Sequence, residues 1–257
     1  MNYKIEKVKK SFSLQAENFE NNDMNFSKQE YLDYIIKKTD VKKTDCVLEV
    51  AAGTCVCGRS LASGVTSVTC LDATPEMLIV GKRAAEDKKI SNISFVEGIA
   101  EQLPFAEGVF DIVMTRLTFH HFTEMRKPFE EMNRVLKAGG KLVIIDMEAA
   151  KKELREIEDY IETLRDNSHV KNRSKDEFLS LYKEYGYEML VTESAQIPVE
   201  LSAWMNLTKT QTEIKRKITL QMENEIAGLG QTGFFPYKKN NRIYFDQRWL
   251  MMIGKKG

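Results

Sequence analysis

The chain has 257 residues, 38 basic against 38 acidic, with 42% hydrophobic and 30% charged residues. That is the composition of an ordinary globular protein, one large domain or a core with a modest appendage. The balanced charge argues against a nucleic-acid binder. No apolar run approaches the roughly 20 residues that span a bilayer, and no apolar segment follows the basic start "MNYKIEKVKKSF", so the expected compartment is the cytoplasm.

In chain order, "SKQEYLDYIIKKT" predicts a helix with Tyr31, Tyr34, Ile35 and Lys38 at helical spacing, behind a Ser27 cap with Glu30 three places on. The rhythm then changes. "DCVLEVAA", "SVTCLDA", "ISFVEGIA", "FDIVMTRL" and "KLVIIDM" are short continuous apolar runs, each followed by helix-forming residues. Such runs suit parallel strands buried on both faces, and five of them alternating with helices predict a doubly wound α/β sheet. After Met147 the alternation stops. "EAAKKELREIEDYIETLRD" and "SKDEFLSLYKEYG" read as helices, the second capped by Ser174 and closed by Gly186. "YEMLVTESAQIPVE" reads as a strand, residues 201–230 as mostly helical, and the end as a hairpin turning at Lys239-Asn240-Asn241. The expected architecture is a Rossmann-like sheet, mostly parallel with an antiparallel last strand, plus helical lid segments. Its expected division is a lid over 1–45, a core over 46–147, and helical caps with the final strands over 148–257.

The first strand ends in "LEVAAGTCVCG", a nucleotide-binding turn poor in glycine: Ala51, Gly53 and Cys55 hold the three places of Gly-x-Gly-x-Gly. Gly53, lacking a Cβ, lets a ligand approach the main chain. About twenty residues later the second strand ends in Asp72, where an acid commonly meets ribose hydroxyls. With Glu49 and Asp72 both acidic, the site suits a nucleoside carrying a cation. A pyrophosphate would be repelled by Glu49, which argues against NAD. The four cysteines, Cys46, Cys55, Cys57 and Cys70, lie in one stretch without a Cys-x-x-Cys pair or a nearby His. Core packing is expected of them, not a disulfide framework or a metal. The Cys55 thiol is expected to pack inward, with Cys57 on the opposite side of the helix start.

Residues 49–58, followed by "LDATPEM", "GIAEQLPFAEGVFDIVMTRLTFHHF" and "LKAGGKLVIID", resemble the class I S-adenosylmethionine-dependent methyltransferases, in the ubiquinone/menaquinone-methyltransferase-like branch. The resemblance covers roughly 46–147, with its motifs in order. It implies S-adenosylmethionine as cofactor and S-adenosylhomocysteine as product. It places Glu49, Ala51, Ala52 and Gly53 beside the methionine moiety and Asp72 on the ribose. Ala73 and Met77 would flank the adenine, with Ala100 and Glu101 at its edge. Arg116, Leu117 and His121 would close the methionine end. The family often has Asp where this chain has Ile99. Thr74, before Pro75, is expected to cap the next helix and free Asp72 for the ribose.

Methyl transfer from a sulfonium is an in-line displacement that needs a base only when the acceptor arrives protonated. His120 and His121 follow the fourth strand, where family active sites open, and read either as base and substrate contacts or as helix-capping residues. His169 lies in a polar turn with Arg165, Asp166 and Ser168, a further candidate. Phe12, Phe19, Arg165 and Trp204 are candidates to enclose an acceptor. Arsenite methylation is set aside for want of cysteines outside the core, and DNA amino-methylation because "TRLTFHH" lacks an Asn/Asp-Pro-Pro-aromatic motif. The N-terminal segment also lacks the Asn/Ser-Gly-Trp pattern of menaquinone methyltransferases. The acceptor expected is a small organic molecule, with no nucleic acid, membrane or metal partner, and the chain a monomer or homodimer. The competing reading is a non-catalytic protein of the same fold that binds the cofactor without turnover.

Overall fold

All five apolar runs form strands: β1 (Cys46–Val50), β2 (Ser67–Asp72), β3 (Ile93–Glu97), β4 (Phe110–Arg116) and β5 (Leu136–Met147). They come from a computed structural model that describes residues 2–20 and 28–257. These strands pair in parallel in the order β3-β2-β1-β4-β5. The sheet continues antiparallel through β8 (Arg242–Lys255) to β6 (Glu188–Glu200), and β7 (Tyr237–Lys239) folds onto β8 as a hairpin. The hairpin turns at Asn240 and Asn241, both at positive φ (51° and 58°), a conformation that Asn tolerates.

Alternation along each strand feeds two core layers. Val47, Cys70, Ile112, Met114, Val143 and Ile145 face one side. Leu48, Leu71, Val113, Leu142 and Ile144 face the other. Burial on both sides is what the continuous apolar runs require. The first layer is covered by α2 (Gln29–Thr39) and α3 (Val56–Leu61), and α4 (Pro75–Asp87) adds Leu78 to it. The second lies under α5 (Arg126–Val135) and α7 (Lys175–Glu184). At the far end α6 (Arg155–Arg165), α8 (Leu201–Leu207) and α9 (Thr212–Ile226) enclose Trp204, Phe234 and Phe245 in a separate cluster. None of the described helices is long and apolar enough to cross a membrane.

Local chemistry explains where the expected elements hold and where they shift. Ser174 caps α7 in a full capping box with Glu177, and Gly186 follows at φ 70°. Ser27 lies outside the described residues. The N-cap of α2 is Lys28, without a side-chain bond, and the helix buries Leu32, Ile35 and Thr39 while Tyr34 stays 45% exposed. The stripe of Leu32, Ile35 and Thr39, flanked by the partly buried Tyr31, therefore sets the rotation of this helix, and Tyr34 falls outside it. Between β3 and β4 the described chain forms no helix. Gly98, Pro104 and Gly108 break residues 98–109 into turns around an Ile99–Gln102 bridge. The helix expected from Glu148 starts later, at Arg155, after a 3-10 turn over Lys152–Leu154. At the N-terminus, α1 (Asn2–Gln15) and a 3-10 turn (Ala16–Glu20) contribute to the cavity described below, whereas α2 packs on the sheet.

Candidate active site

The chain leaves β1 through a strained turn. Ala51, Gly53 and Cys55 have φ of 50°, 54° and 61°, and Leu117, beyond β4, has φ 55°. Positive φ at three residues with a Cβ on one sheet edge is costly and clusters at functional sites. The turn is held by Asp72, whose Oδ2 accepts the Gly53 N–H at 2.7 Å and whose Oδ1 accepts the Thr74 N–H at 2.8 Å. The Thr74 side chain makes no cap bond, so Asp72 serves the helix start as well as the turn and is not freed by Thr74. Burial raises the Asp72 pKa, and these amides oppose the rise.

Glu49 is buried, and its Oε2 accepts the Gly58 N–H at 2.7 Å. Burial pushes its pKa up to about 7. A Cβ on Gly58 would lie 2.7 Å from Cys70 Sγ and 2.8 Å from Glu49 Oε2. The close helix–strand approach that a third glycine supplies in dinucleotide-binding turns thus occurs here at Gly58. That frees position 55 for a side chain. Cys55 packs inward as expected, fully buried, with its Sγ 3.7 Å from the Gly53 carbonyl. Cys57 is buried too and, unlike Cys55, lines the cavity described below, and burial pushes its thiol up to about 12. These cysteines are packing groups, since a buried protonated thiol is inert.

Over the C-terminal ends of β1, β2 and β4 opens a cavity of about 220 Å³, where a single water needs roughly 10–15 Å³. Glu49, Ala51, Ala52 and Gly53 line it from the first turn, and Asp72 and Ala73 from the second. Ala100 and Glu101 line it after β3, and Arg116, Leu117, His120 and His121 after β4. Phe12, Phe19, Arg165 and Trp204 complete the other end. Met77 is fully buried with Ala16 and Val80 and does not line the cavity, because its face of α4 packs against the N-terminal segment. His169 does not line it either. Its Nε2 lies 2.9 Å from Asp159 Oδ1, and its ring is buried behind His120.

The two histidines that line the cavity are held differently. Asp146, buried at the end of β5, accepts the Thr118 and Phe119 amides on Oδ2 at 2.8 and 2.6 Å and holds His120 Nδ1 on Oδ1 at 2.6 Å. His121 Nδ1 lies 3.1 Å from Ser168 Oγ, which donates to Asp166 Oδ1 at 2.6 Å. Phe12 meets the His121 ring edge-on, with centroids 5.0 Å apart. The Arg165–Asp166 segment is buried, not a surface pair. Arg165 bonds Glu162 at 3.1 Å and sits 4.4 Å over the Trp204 ring. Ser168 belongs to the polar turn singled out in the sequence, whereas Asp146, Gln247 and Trp249 carried no signal beyond an acid closing an apolar run, as Asp146 does in "LVIIDM".

Burial and neighbouring His120 push the His121 pKa down to about 3. A base depressed in the folded state leaves the unfolded chain binding more protons below pH 6.5, so stability is lost as pH falls from there. Relative to His121→Asn, the native chain should lose on the order of 2 kcal/mol between pH 7.5 and 5 in urea unfolding. Parallel stability curves would contradict this. Glu49 and Glu158, both raised to about 7 by burial, act with the opposite sign in both proteins and cancel in the difference.

The cavity's donor set fits S-adenosylmethionine. Glu49, Asp72, Glu101 and Asp166 outnumber Arg116 and Arg165, and no lysine lines the wall among the described residues. That balance favours a sulfonium over a diphosphate. A Cβ at Gly53 would meet nothing nearer than Met77 Sδ at 4.0 Å, so the main chain there is open to a ligand.

Comparison with known proteins agrees with this geometry. A family model described as "Methyltransferase domain" matches residues 48–144. The Escherichia coli protein YafE, which is uncharacterized, is 37% identical over 152 residues, covering 58% of this chain and 72% of that protein. The uncharacterized Bacillus subtilis methyltransferase YcgJ is 28% identical over 214 residues, 83% of this chain and 84% of its own. The crystal structure of YcgJ superposes with a TM-score of 0.80, 26% identity, and coverage of 89% of this chain and 99% of that one. The ubiquinone/menaquinone biosynthesis C-methyltransferase UbiE of Zymomonas mobilis is 33% identical over 119 residues, 46% of this chain and 49% of that protein. The match spans the strand ends that line the cavity, and the chain belongs to the class I S-adenosylmethionine-dependent methyltransferases, in their ubiquinone/menaquinone-methyltransferase-like branch.

Proposed function

We propose that the protein methylates a small organic acceptor with an apolar body, that it works in the cytoplasm, and that residues 1–45, 46–147 and 148–257 act as lid, cofactor core and cap. The observation that carries the reading is one cavity that brings Glu49, Asp72 and Glu101 together with aromatic rings and His121. When bound, S-adenosylmethionine supplies a methyl carbon already activated by its sulfonium. The chain's task is therefore to align the acceptor and keep water out.

In this reading Asp72 holds the ribose, and Glu49 and the Ala51–Gly53 main chain meet the methionine end. Ala73, Ala100 and Glu101 surround the adenine, and Arg116 and Leu117 close the turn after β4. Met77 supports Ala73 and Gly53 from behind. Phe12, Phe19, Trp204 and Trp249 enclose the acceptor, and Arg165 is the polar group at that end. His120, fixed on Asp146, shapes the wall, and His169 braces it through Asp159.

Two measurements test this. Titration calorimetry should find S-adenosylhomocysteine binding at micromolar strength and NAD not at all. Tritiated methyl transfer to a bacterial metabolite extract should label small molecules. Tight cofactor binding with no label in any extract would favour the non-catalytic reading, and absence of binding would sink both.

A further inference from the structure

We propose that Ser168 and Asp166 are positioning residues that hold His121 as a neutral imidazole protonated on Nδ1, so that Nε2 takes the proton of a hydroxyl-bearing acceptor. The acceptor half of this inference rests on the methyltransferase reading above. The tautomer half does not.

Proton accounting fixes the tautomer. Asp166 Oδ1 receives the Ser168 N–H at 2.8 Å, the Ser168 hydroxyl at 2.6 Å and the Ser11 hydroxyl at 3.0 Å. An oxygen accepting three donors carries no proton of its own, so Asp166 is a carboxylate and the short contact needs the Ser168 proton between the two oxygens. The hydroxyl's one proton is then spent, and toward His121 Ser168 can act only as acceptor. Nδ1 must supply the proton of the 3.1 Å contact. Nε2 is left with its lone pair, and the Ser168 backbone also meets the ring. Burial raises Asp166, but Arg165 and the hydrogen bonds from Ser168 oppose the rise and favour the ionised form. A lone pair on a half-buried ring that lines the cavity is the arrangement a general base requires.

The lining narrows the acceptor. Phe12, packed edge-on against His121, and Phe19 and Trp249 offer apolar surface, while the buried Trp204 backs the wall beneath Arg165. Arg165 at the same end is paired with Glu162 at 3.1 Å and presents N–H groups that an acceptor oxygen can meet. On transfer the acceptor O–H bond breaks and its proton forms the N–H bond at Nε2. The oxygen's electron pair makes the new O–C bond while the C–S pair returns to sulfur. The imidazolium is short-lived, since burial and His120 disfavour it more than Asp166 favours it, and it releases the proton to solvent.

The chain has three histidines, so long-range proton–nitrogen correlation spectra can be assigned with single His→Gln variants. In the S-adenosylhomocysteine complex at pH 7.5, His121 should show a protonated Nδ1 and a bare Nε2. Ser168→Ala should give a mixture of tautomers, and Ser168→Thr should restore the native pattern. A proton on Nε2 in the native chain, or an unchanged pattern in Ser168→Ala, would overturn the assignment. Millimolar phenol should then shift His121 Nε2 selectively and toluene should not; equal shifts, or none, would overturn the hydroxyl acceptor. Failure of the native chain to bind S-adenosylhomocysteine in calorimetry would count against the methyltransferase reading alone, because the tautomer is read equally well in the free protein.

Discussion

Replacing Asp72 with Ala should weaken S-adenosylhomocysteine binding by about a hundredfold, equivalent to roughly 3 kcal/mol. The carboxylate accepts two backbone amides, from Gly53 and Thr74. Hydrogen bonds to a charged group contribute about 1.5–3 kcal/mol each, and here they fix the turn on which the ligand would rest. Loss of the side chain therefore removes the proposed ribose contact and loosens the Gly53 main chain in one step. Asp72→Asn should recover little, because one end of its amide is a donor and would face a donor. Calorimetry at constant pH measures the effect. An affinity in Asp72→Ala within threefold of the native value would show that neither the contact nor the pinned turn matters for binding.

The second large effect is expected at Gly81, which lies eight residues beyond Ala73 and does not line the cavity. A Cβ there would lie 2.6 Å from the Thr54 carbonyl oxygen and 2.9 Å from its carbon, both main-chain atoms. Neither can rotate away, so α4 and the turn after β1 must separate. Overpacking of this kind costs about 1–3 kcal/mol, which in a protein this size lowers Tm by roughly 2–12 °C. Gly81→Ala should also weaken S-adenosylhomocysteine, since Thr54 sits between Gly53 and Cys55 in the strained turn. Gly230→Ala, where a Cβ meets nothing, is the control. Equal melting temperatures for the two variants would contradict the close approach.

The five parallel strands were legible because burial on both faces leaves no room for polar alternation, and Glu49 and Asp72 stood out as acids closing such runs. The chain from 98 to 109 was harder. Its polar stretch resembles a helix, but Pro104 and the flanking glycines decide for turns. Met77 shows the limit of motif transfer. The residue sits in the expected helix, yet the N-terminal segment claims its face, and a contact between residues about sixty positions apart leaves no local periodicity. The same holds for Ser168 and Asp166, brought to His121 from more than forty residues away by a turn with no apolar pattern. Cys55 was legible as an oddity. That Gly58 assumes the third glycine's role could be seen only once Glu49 and Cys70 were placed against it.

The contacts of α1 bear on how fast such an enzyme can cycle. Its Lys9–Glu97 and Ser13–Glu76 bonds are exposed, and such bonds are individually weak. Ser11 alone reaches the buried Asp166. On the proposed role of this segment as a lid, spent cofactor and methylated product leave by undocking one short helix, not by parting two domains. Product residence time would then follow ionic strength, which screens the rim contacts, more than the chemistry at the cavity floor.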